Sequence, residues 1–187
     1  MRPGESSGPP SGTGEQSSID RLLITNETFS PGPSVQSMAA EPSLKLAIVT
    51  CMDCRLDLPA ALGLQAGEAH VLRNAGGVVS DDVIRSLAIS QRKLGTREAM
   101  LVHHTGCGMQ TITDDGFREE LLRETGTAPA FAIESFSDLE EDVRQSVLRV
   151  RRSPFILHRD RIRGFVFDVD AQRLQEVHVE EKPGLSS

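Results

Sequence analysis

The chain has 187 residues, a formal net charge of −7 and 38% hydrophobic residues, with seven Phe and no Trp or Tyr. This length predicts one principal domain with a mostly aliphatic core. Acidic and basic residues are interspersed without a basic stripe, so we expect neither nucleic acid nor a membrane as a partner. The three cysteines, with no apolar targeting segment before them, indicate metal or redox chemistry in the cytoplasm rather than a secreted disulfide framework.

The N-terminal region divides into a tail and an arm. Residues 1–18 are rich in Gly, Pro and Ser, and such a segment buries too little apolar surface to offset its ordering entropy, so we expect it to be disordered. Ser18 is placed to cap a short helix over residues 19–29, whose apolar side chains lie on one side. We interpret residues 19–40 as an arm that covers either its own domain or a neighbouring subunit, and residues 41–187 as the main domain.

Hydrophobic periodicity in the main domain alternates between strand and helix patterns. Short apolar runs predict strands, and longer stretches with apolar residues at helical spacing predict helices. The predicted strands are residues 44–50, 69–73, 98–104, 162–169 and 173–179. The predicted helices are residues 59–64, 81–94, 113–123 and 137–151. This order predicts an α/β domain with a mainly parallel sheet and an antiparallel edge strand.

Two of the predicted strands end in side chains that can bind a soft metal. The candidates after the first and third strands are Cys51, Asp53, Cys54, Arg55, His103, His104 and Cys107. Ligands of an open α/β sheet bind beyond the carboxyl ends of its strands, and thiolate and imidazole groups favour zinc. Side chains alternate along a strand, so His103 should face away from the site. We therefore predict a zinc site at this end of the sheet.

The spacing of these residues allows two alternative forms of one zinc site. In both, the metal is held by Cys51, His104 and Cys107. In a closed structural site, Cys54 is the fourth ligand; in an open catalytic site, water takes the fourth position. Asp53 and Arg55 favour the open site, because a carboxylate two residues after a ligand can reach that position and an arginine can hold it by a bidentate, charge-assisted pair.

The motifs resemble those of a known family. CMDCRLD and HHTGCG, separated by about fifty residues, are similar to the C-x-D-x-R and H-x-x-C motifs of the β-class carbonic anhydrases. RNAGG, at residues 73–77, and the helix DDVIRSLAIS also resemble that family, and the similarity covers roughly residues 40–170. It implies a mainly parallel sheet of about four strands with an antiparallel edge strand and helices on both faces.

The resemblance also implies an activity. It is that of a zinc enzyme, with one Zn²⁺ per subunit, which catalyses the reversible hydration of CO₂ to bicarbonate and a proton by attack of zinc-bound hydroxide. The implied ligands are Cys51, His104 and Cys107, and the implied catalytic dyad is Asp53 and Arg55. The family further implies a homodimer or homotetramer in which the N-terminal helix reaches over the partner.

The substrate pocket is predicted from position in the chain. The glycine-rich turn after the second strand is placed to form a pocket wall, and backbone N–H groups after the second motif are placed to hold product. The predicted pocket residues are Asn74, Gly76, Gly77 and Gly108. The family commonly has RNAGN where this chain has RNAGG, which predicts a wider pocket at Gly77.

Cys54 occupies a position where the family commonly has Ser or Ala. One alternative is therefore a non-catalytic zinc-binding or redox-sensing protein in which the Cys54 thiol is the fourth ligand of a closed site. A second alternative is a carbonyl sulfide or CS₂ hydrolase on the same fold. The sequence also leaves open whether, in the resting site, Asp53 pairs with Arg55 or coordinates zinc itself. Allosterically inhibited members use a Trp and a Tyr at a bicarbonate site, so we expect no such regulation here.

Overall fold

The computed structural model describes residues 17–30 and 38–180. The chain divides into two compact units between Ser37 and Met38. Most of the predicted tail, residues 1–18, lies outside the described residues. Among the residues that are described, no helix is both long and apolar enough to cross a membrane.

The N-terminal unit contains the helix α1, Ser18–Glu27. Its N-cap is Ser17, whose hydroxyl oxygen accepts a hydrogen bond from the backbone N–H of Asp20 at 3.1 Å. The prediction that Ser18 is the cap was wrong by one residue, because two consecutive serines offer the same hydroxyl group and only the backbone turn distinguishes them. The exposed apolar side chains of this unit are Ile19, Leu22, Leu23, Ile24 and Phe29.

The second unit alternates strands and helices. Its strands are β1 (Leu46–Cys51), β2 (Ala69–Asn74), β3 (Glu98–His104), β4 (Ile162–Asp168) and β5 (Arg173–Val177). Its helices are α2 (Leu58–Leu62), α3 (Asp81–Leu94), α4 (Asp114–Thr125) and α5 (Leu139–Arg152). Short 3₁₀ turns follow β2 and precede α4, at Ala75–Gly77 and Gly108–Gln110.

The five strands form one sheet in the order β2-β1-β3-β4-β5. The first four strands are parallel, and β5 runs antiparallel to β4. Helices connect the parallel strands because a parallel crossover needs a long link, whereas a short turn joins the antiparallel pair. The predicted α/β fold is confirmed, and the central strands β1 and β3 end side by side at one edge of the sheet.

The central strands are buried on both faces of the sheet. One face packs against α3 and α5 through an aliphatic cluster that includes Val49, Leu87 and Val147. The other face packs against α2 through a cluster that includes Ile48 and Leu58. This second cluster also contains both cysteines of the predicted ligand set, so the site lies at the end of a packed layer. Burial of both faces explains why β1 is a continuous apolar run.

The first strand begins two residues later than predicted. Lys45 has a φ of 54°, in the left-handed region, which interrupts the extended backbone. Its carbonyl oxygen accepts hydrogen bonds from the N–H groups of Arg97 at 2.7 Å and Glu98 at 3.2 Å. The turn at Lys45 thereby anchors the start of β3 beside β1. The last strand ends at Val177, two residues earlier than predicted.

Candidate metal centre

The parallel register of β1 and β3 brings the two predicted ligand loops together. Thr50 of β1 pairs with Val102 of β3, so the two strands end within one residue of each other. The thiol sulfurs of Cys51 and Cys107 and a ring nitrogen of His104 all lie within 4.8 Å of one another, and all three residues are buried. Two of these residues end strands, and Cys107 directly precedes the turn Gly108–Gln110. The structure thus assembles the predicted zinc ligands into one group.

His104 is oriented for metal binding through Nε2. Its Nδ1 lies 3.0 Å from the carbonyl oxygen of Thr105, which only accepts hydrogen bonds, so Nδ1 carries the ring proton. The lone pair is therefore on Nε2, which is buried and has no hydrogen-bond partner among the described residues. A buried polar atom without a partner is costly, and a cation bound at Nε2 removes that cost.

The two buried thiols also fit a cation. A hydrogen bond from Cys107 lowers the pKa of the Cys51 thiol, and the same sharing of one proton raises the pKa of Cys107. A divalent ion takes the place of the shared proton and allows both sulfurs to be thiolates. Two thiolates and a neutral imidazole form a donor set that suits zinc among the common metals.

Asp53 and Arg55 form a bidentate pair beside this group. Arg55 Nη2 lies 2.7 Å from Asp53 Oδ2, and Arg55 Nε lies 3.0 Å from Asp53 Oδ1. The hydrogen bonds from Arg55 hold the pKa of the Asp53 carboxyl well below its usual range, so it is ionised. Its Oδ2 is 3.8 Å from His104 Nε2, yet Asp53 is not one of the grouped ligands. In this structure Asp53 pairs with Arg55, the first of the two arrangements that the sequence left open.

Arg55 also connects the two ligand loops. Its Nη2 donates a hydrogen bond to the carbonyl oxygen of Gly106 at 3.0 Å. Gly106 lies between the predicted ligands His104 and Cys107. One guanidinium group therefore orients the Asp53 carboxylate and holds the second ligand loop at the same time.

The predicted pocket residues lie close to the site, with different contacts. Asn74 Nδ2 donates to the carbonyl oxygen of Val78 at 2.9 Å and so shapes the turn after β2. Gly77 has a φ of 72°, and a Cβ there would lie 2.8 Å from the backbone nitrogen of Cys51. A side chain at this position requires the turn and β1 to move apart. Gly108 is exposed, and its carbonyl oxygen accepts hydrogen bonds from Thr111.

Cys54 and His103 lie outside the ligand group. Cys54 is exposed and is not among the residues whose ligand atoms cluster in the described chain. His103 is fully buried on the opposite side of β3 from His104, as predicted. Its Nδ1 is 3.0 Å from a carboxylate oxygen of Asp142, and its ring is tilted against that of Phe136.

Sequence reasoning did not identify Arg73 as a site residue. Its Nε donates to the carbonyl oxygen of Cys51 at 3.0 Å, and its Nη2 donates to the carbonyl oxygen of Asp53 at 2.6 Å. Arg73 belongs to the RNAGG segment and lies opposite Thr50 in the register of β2 and β1. That register was the available signal, but it is known only once the strands are paired.

Comparisons with known proteins agree with this geometry. A family model described as carbonic anhydrase matches residues 46–173. The β-carbonic anhydrase 1 of Mycobacterium tuberculosis is 58% identical over 84% of this chain and 96% of its own length. A carbon disulfide hydrolase of Acidianus sp. is 33% identical over 71% of this chain and 76% of its own length.

Solved structures show the same similarity. The crystal structure of a carbonic anhydrase from Streptococcus mutans has a TM-score of 0.77 and 42% identity, over 88% of this chain and 99% of that one. A carbonic anhydrase from Glaciozyma antarctica has a TM-score of 0.72 and 32% identity, over 89% of this chain and 98% of that one. The match in sequence, in fold and in a Cys-His-Cys group shows that this chain belongs to the β-carbonic anhydrase family.

Proposed function

We propose that this chain catalyses the reversible hydration of CO₂ to bicarbonate and a proton, with one Zn²⁺ per subunit. The observation that carries the proposal is a buried group of two thiols and an imidazole nitrogen beside a carboxylate that an arginine keeps ionised. The residues that would hold zinc are Cys51, His104 and Cys107. Zinc, when bound, supplies the Lewis acidity that allows water to act as a nucleophile near neutral pH.

Asp53 is proposed to orient the nucleophile. Its Oδ2 faces the site at 3.8 Å from His104 Nε2, and as an ionised group it only accepts hydrogen bonds. It can therefore accept a hydrogen bond from a hydroxyl group, which leaves an oxygen lone pair of that group directed towards CO₂. Arg55 keeps the carboxylate in this place by two parallel hydrogen bonds and prevents it from occupying the metal site itself.

The proposed pocket is the space around this carboxylate. We assign its wall to the turn after β2 and to the start of the turn at Gly108–Gln110. The residues so assigned are Asn74, Gly76, Gly77 and Gly108. The assignment is supported by their closeness to the site, since Gly77 lies against the backbone of Cys51 and Gly76 lies against the side chain of Met109.

The direct test is stopped-flow CO₂ hydration by the zinc-loaded protein. We expect turnover by the wild type and, for Asp53→Asn, a loss of about 100-fold with full zinc content, because the amide lacks the negative charge that strengthens and orients the hydrogen bond from the hydroxyl group. An inactive wild type with full zinc would contradict the proposal. Equal activity of wild type and variant would show that the Asp53 carboxylate does not contribute to catalysis.

Carbon disulfide is the alternative substrate. The relatives named carbon disulfide hydrolase are 29–34% identical to this chain, whereas the relatives named β-carbonic anhydrase 1 are 58% identical. This difference favours CO₂. Turnover of CS₂ or carbonyl sulfide without CO₂ hydration, measured on the same zinc-loaded sample, would support the alternative.

We also propose a homodimer or homotetramer in the cytoplasm. The arm, residues 19–40, contains a helix whose apolar side chains are exposed, which suits contact with a partner subunit of the same chain. Residues 41–187 are assigned as the catalytic domain. The three cysteines of the described chain are free, which fits a reducing compartment.

A further inference from the structure

We propose that Arg73 is a positioning residue of the zinc site, which fixes the backbone of Cys51 and Asp53 relative to each other. The inference rests on the proposed function and extends it to a residue of the neighbouring strand. Arg73 Nε donates to the carbonyl oxygen of Cys51 at 3.0 Å, and Arg73 Nη2 donates to that of Asp53 at 2.6 Å. The guanidinium group of Arg73 thus binds the backbone of both the proposed ligand, Cys51, and the proposed hydrogen-bond acceptor, Asp53.

The backbone after β1 needs such an anchor. The parallel ladder between β1 and β2 ends with the pair Cys51 and Asn74, followed by one further hydrogen bond, from Met52 N–H to the carbonyl oxygen of Asn74 at 2.7 Å. Residues 52–55 then lie outside any strand or helix. The carbonyl of Asp53 accepts only one backbone hydrogen bond in the described chain, from Leu56 N–H at 3.1 Å. The ladder therefore does not determine where the Asp53 backbone lies.

Two arginines hold Asp53 from different elements. Arg55, in the same loop, binds the carboxylate, whereas Arg73, on β2, binds the carbonyl oxygen of the same residue. Arg55 alone orients the carboxylate only relative to its own loop and to Gly106. Arg73 links that loop to the sheet, because its Cα is fixed by the pairing of β2 with β1. The position of the carboxylate relative to Cys51 depends on both.

The chemistry of this contact requires arginine. The Nε and Nη2 donors of a guanidinium group lie in one rigid plane, so they can bind two carbonyl oxygens that are separated by one residue. A lysine carries the same charge on a single nitrogen at the end of a flexible chain and does not reproduce the fork. Removal of contacts that hold a metal-binding residue in place commonly changes metal affinity or activity by about 10–100-fold.

The experiment compares Arg73→Met and Arg73→Lys with the matched control Arg92→Lys. Arg92 also donates through Nε to a backbone carbonyl, that of Phe155 at 3.1 Å, but it lies outside the zinc site. Zinc release into a chromogenic chelator, kcat and KM for CO₂ hydration, and thermal unfolding are measured on the same zinc-loaded samples. The rate of zinc release is measured independently of catalytic activity.

For both Arg73 variants we expect zinc release to be about 10-fold faster or more, or kcat to fall by about 10–100-fold with little change in KM, while Arg92→Lys behaves as the wild type. Wild-type zinc release and wild-type kcat in Arg73→Lys would overturn the proposal. So would a lower melting temperature in both variants with unchanged zinc release and kcat, because that result describes a purely structural arginine. If Arg73→Met does not fold, Arg73→Lys, which keeps the charge and length, decides the question.

The proposed function can fail separately. If the wild type releases zinc slowly but does not hydrate CO₂, the activity proposal is wrong, and zinc release still tests Arg73. If the wild type is active and the Arg73 variants match it in every measurement, only the inference about Arg73 is wrong.

Discussion

Individual residues of the same type have different environments in this site. Cys51 and Cys107 are buried beside His104, whereas Cys54, three residues from Cys51, is exposed. His103 and His104 are consecutive, yet they point to opposite faces of β3, because side chains alternate along a strand. A ligand set therefore depends on the direction of each side chain as well as on residue type.

Cys54→Ser tests the closed zinc site at this scale. We expect zinc content and CO₂ hydration within about twofold of wild type, because Cys54 is exposed and outside the ligand group. The matched variant Cys107→Ser removes the buried thiol of a proposed ligand and should lose most of its zinc. Metal analysis after dialysis measures both. Zinc loss from Cys54→Ser would restore the hypothesis that Cys54 is the fourth ligand.

At the scale of secondary structure elements, β3 is supported by the close packing of a helix on its neighbouring strand. The strand β3 lies between β1 and β4, and α5 covers β4. At Gly164 of β4, a Cβ would lie 2.4 Å from Cγ1 of Val143 and 2.8 Å from Cγ2 of Val147. Both valines are fully buried in α5, so the absence of a side chain at Gly164 allows helix and strand to pack closely.

Gly164→Ala should therefore destabilise the domain by about 1–3 kcal/mol through overpacking. Chemical denaturation measures the change in the free energy of unfolding. The double variant Gly164→Ala with Val143→Ala is the internal control. Val143→Ala should lower the free energy of unfolding less in the Gly164→Ala protein than in the wild type, because the smaller side chain makes room for the new Cβ. Strict additivity of the two substitutions would contradict the proposed contact.

A second contact between elements depends on charge. Asp114, in the first turn of α4, accepts hydrogen bonds at Oδ1 from the hydroxyl of Ser135 and from its backbone N–H at 2.8 Å. These bonds lower the pKa of Asp114 from its ordinary value of 3.8. A carboxyl whose pKa is lowered by folding stabilises the folded state above the unfolded pKa, and this contribution is lost as the pH falls.

Asp114→Asn should lower the free energy of unfolding by about 0.5–1 kcal/mol at pH 7, a small value because Asp114 is exposed to solvent. The difference from wild type should shrink as the pH falls below about 4 and the wild-type carboxyl becomes protonated. Asp115→Asn removes the same charge at the adjacent position and controls for the helix dipole. A difference that is independent of pH between 7 and 3 would contradict the role of the charge.

At the scale of the whole molecule, the helix α1 has no buried residue. Exposed apolar side chains on an amphipathic helix indicate a surface that another chain covers. Leu23, for example, is 57% exposed. The homo-oligomer that we propose would account for this exposure.

Leu23→Asp should shift the protein towards smaller species in multi-angle light scattering at a fixed concentration, because it places a charge in the apolar face of α1. Thr25→Asp adds the same charge on the opposite side of the helix and should leave the mass unchanged. Equal masses for wild type and both variants, above that of a monomer, would show that α1 does not hold the subunits together. A monomeric wild type would contradict the oligomer itself.

Local sequence patterns were sufficient for most of the fold and for the proposed ligands. Apolar runs identified every strand of the described sheet, and the order of strands and helices predicted a parallel sheet with an antiparallel edge. The motifs C-x-D-x-R and H-x-x-C named the three residues that the structure groups. These patterns succeed because burial on both faces requires a continuous apolar run, and because the end of such a run is the end of its strand.

The conformation of the loop after β1 and the relations between distant segments were decided only by the tertiary structure. The sequence could not exclude Cys54 from the ligand group or show that Asp53 pairs with Arg55, because both depend on the conformation of the loop after β1. It did not point to Arg73, which lies 22 residues from Cys51 in the chain. Arg73 reaches Cys51 and Asp53 because the register of β2 with β1 places it opposite Thr50. Register is a property of paired strands, so one strand's pattern does not contain it.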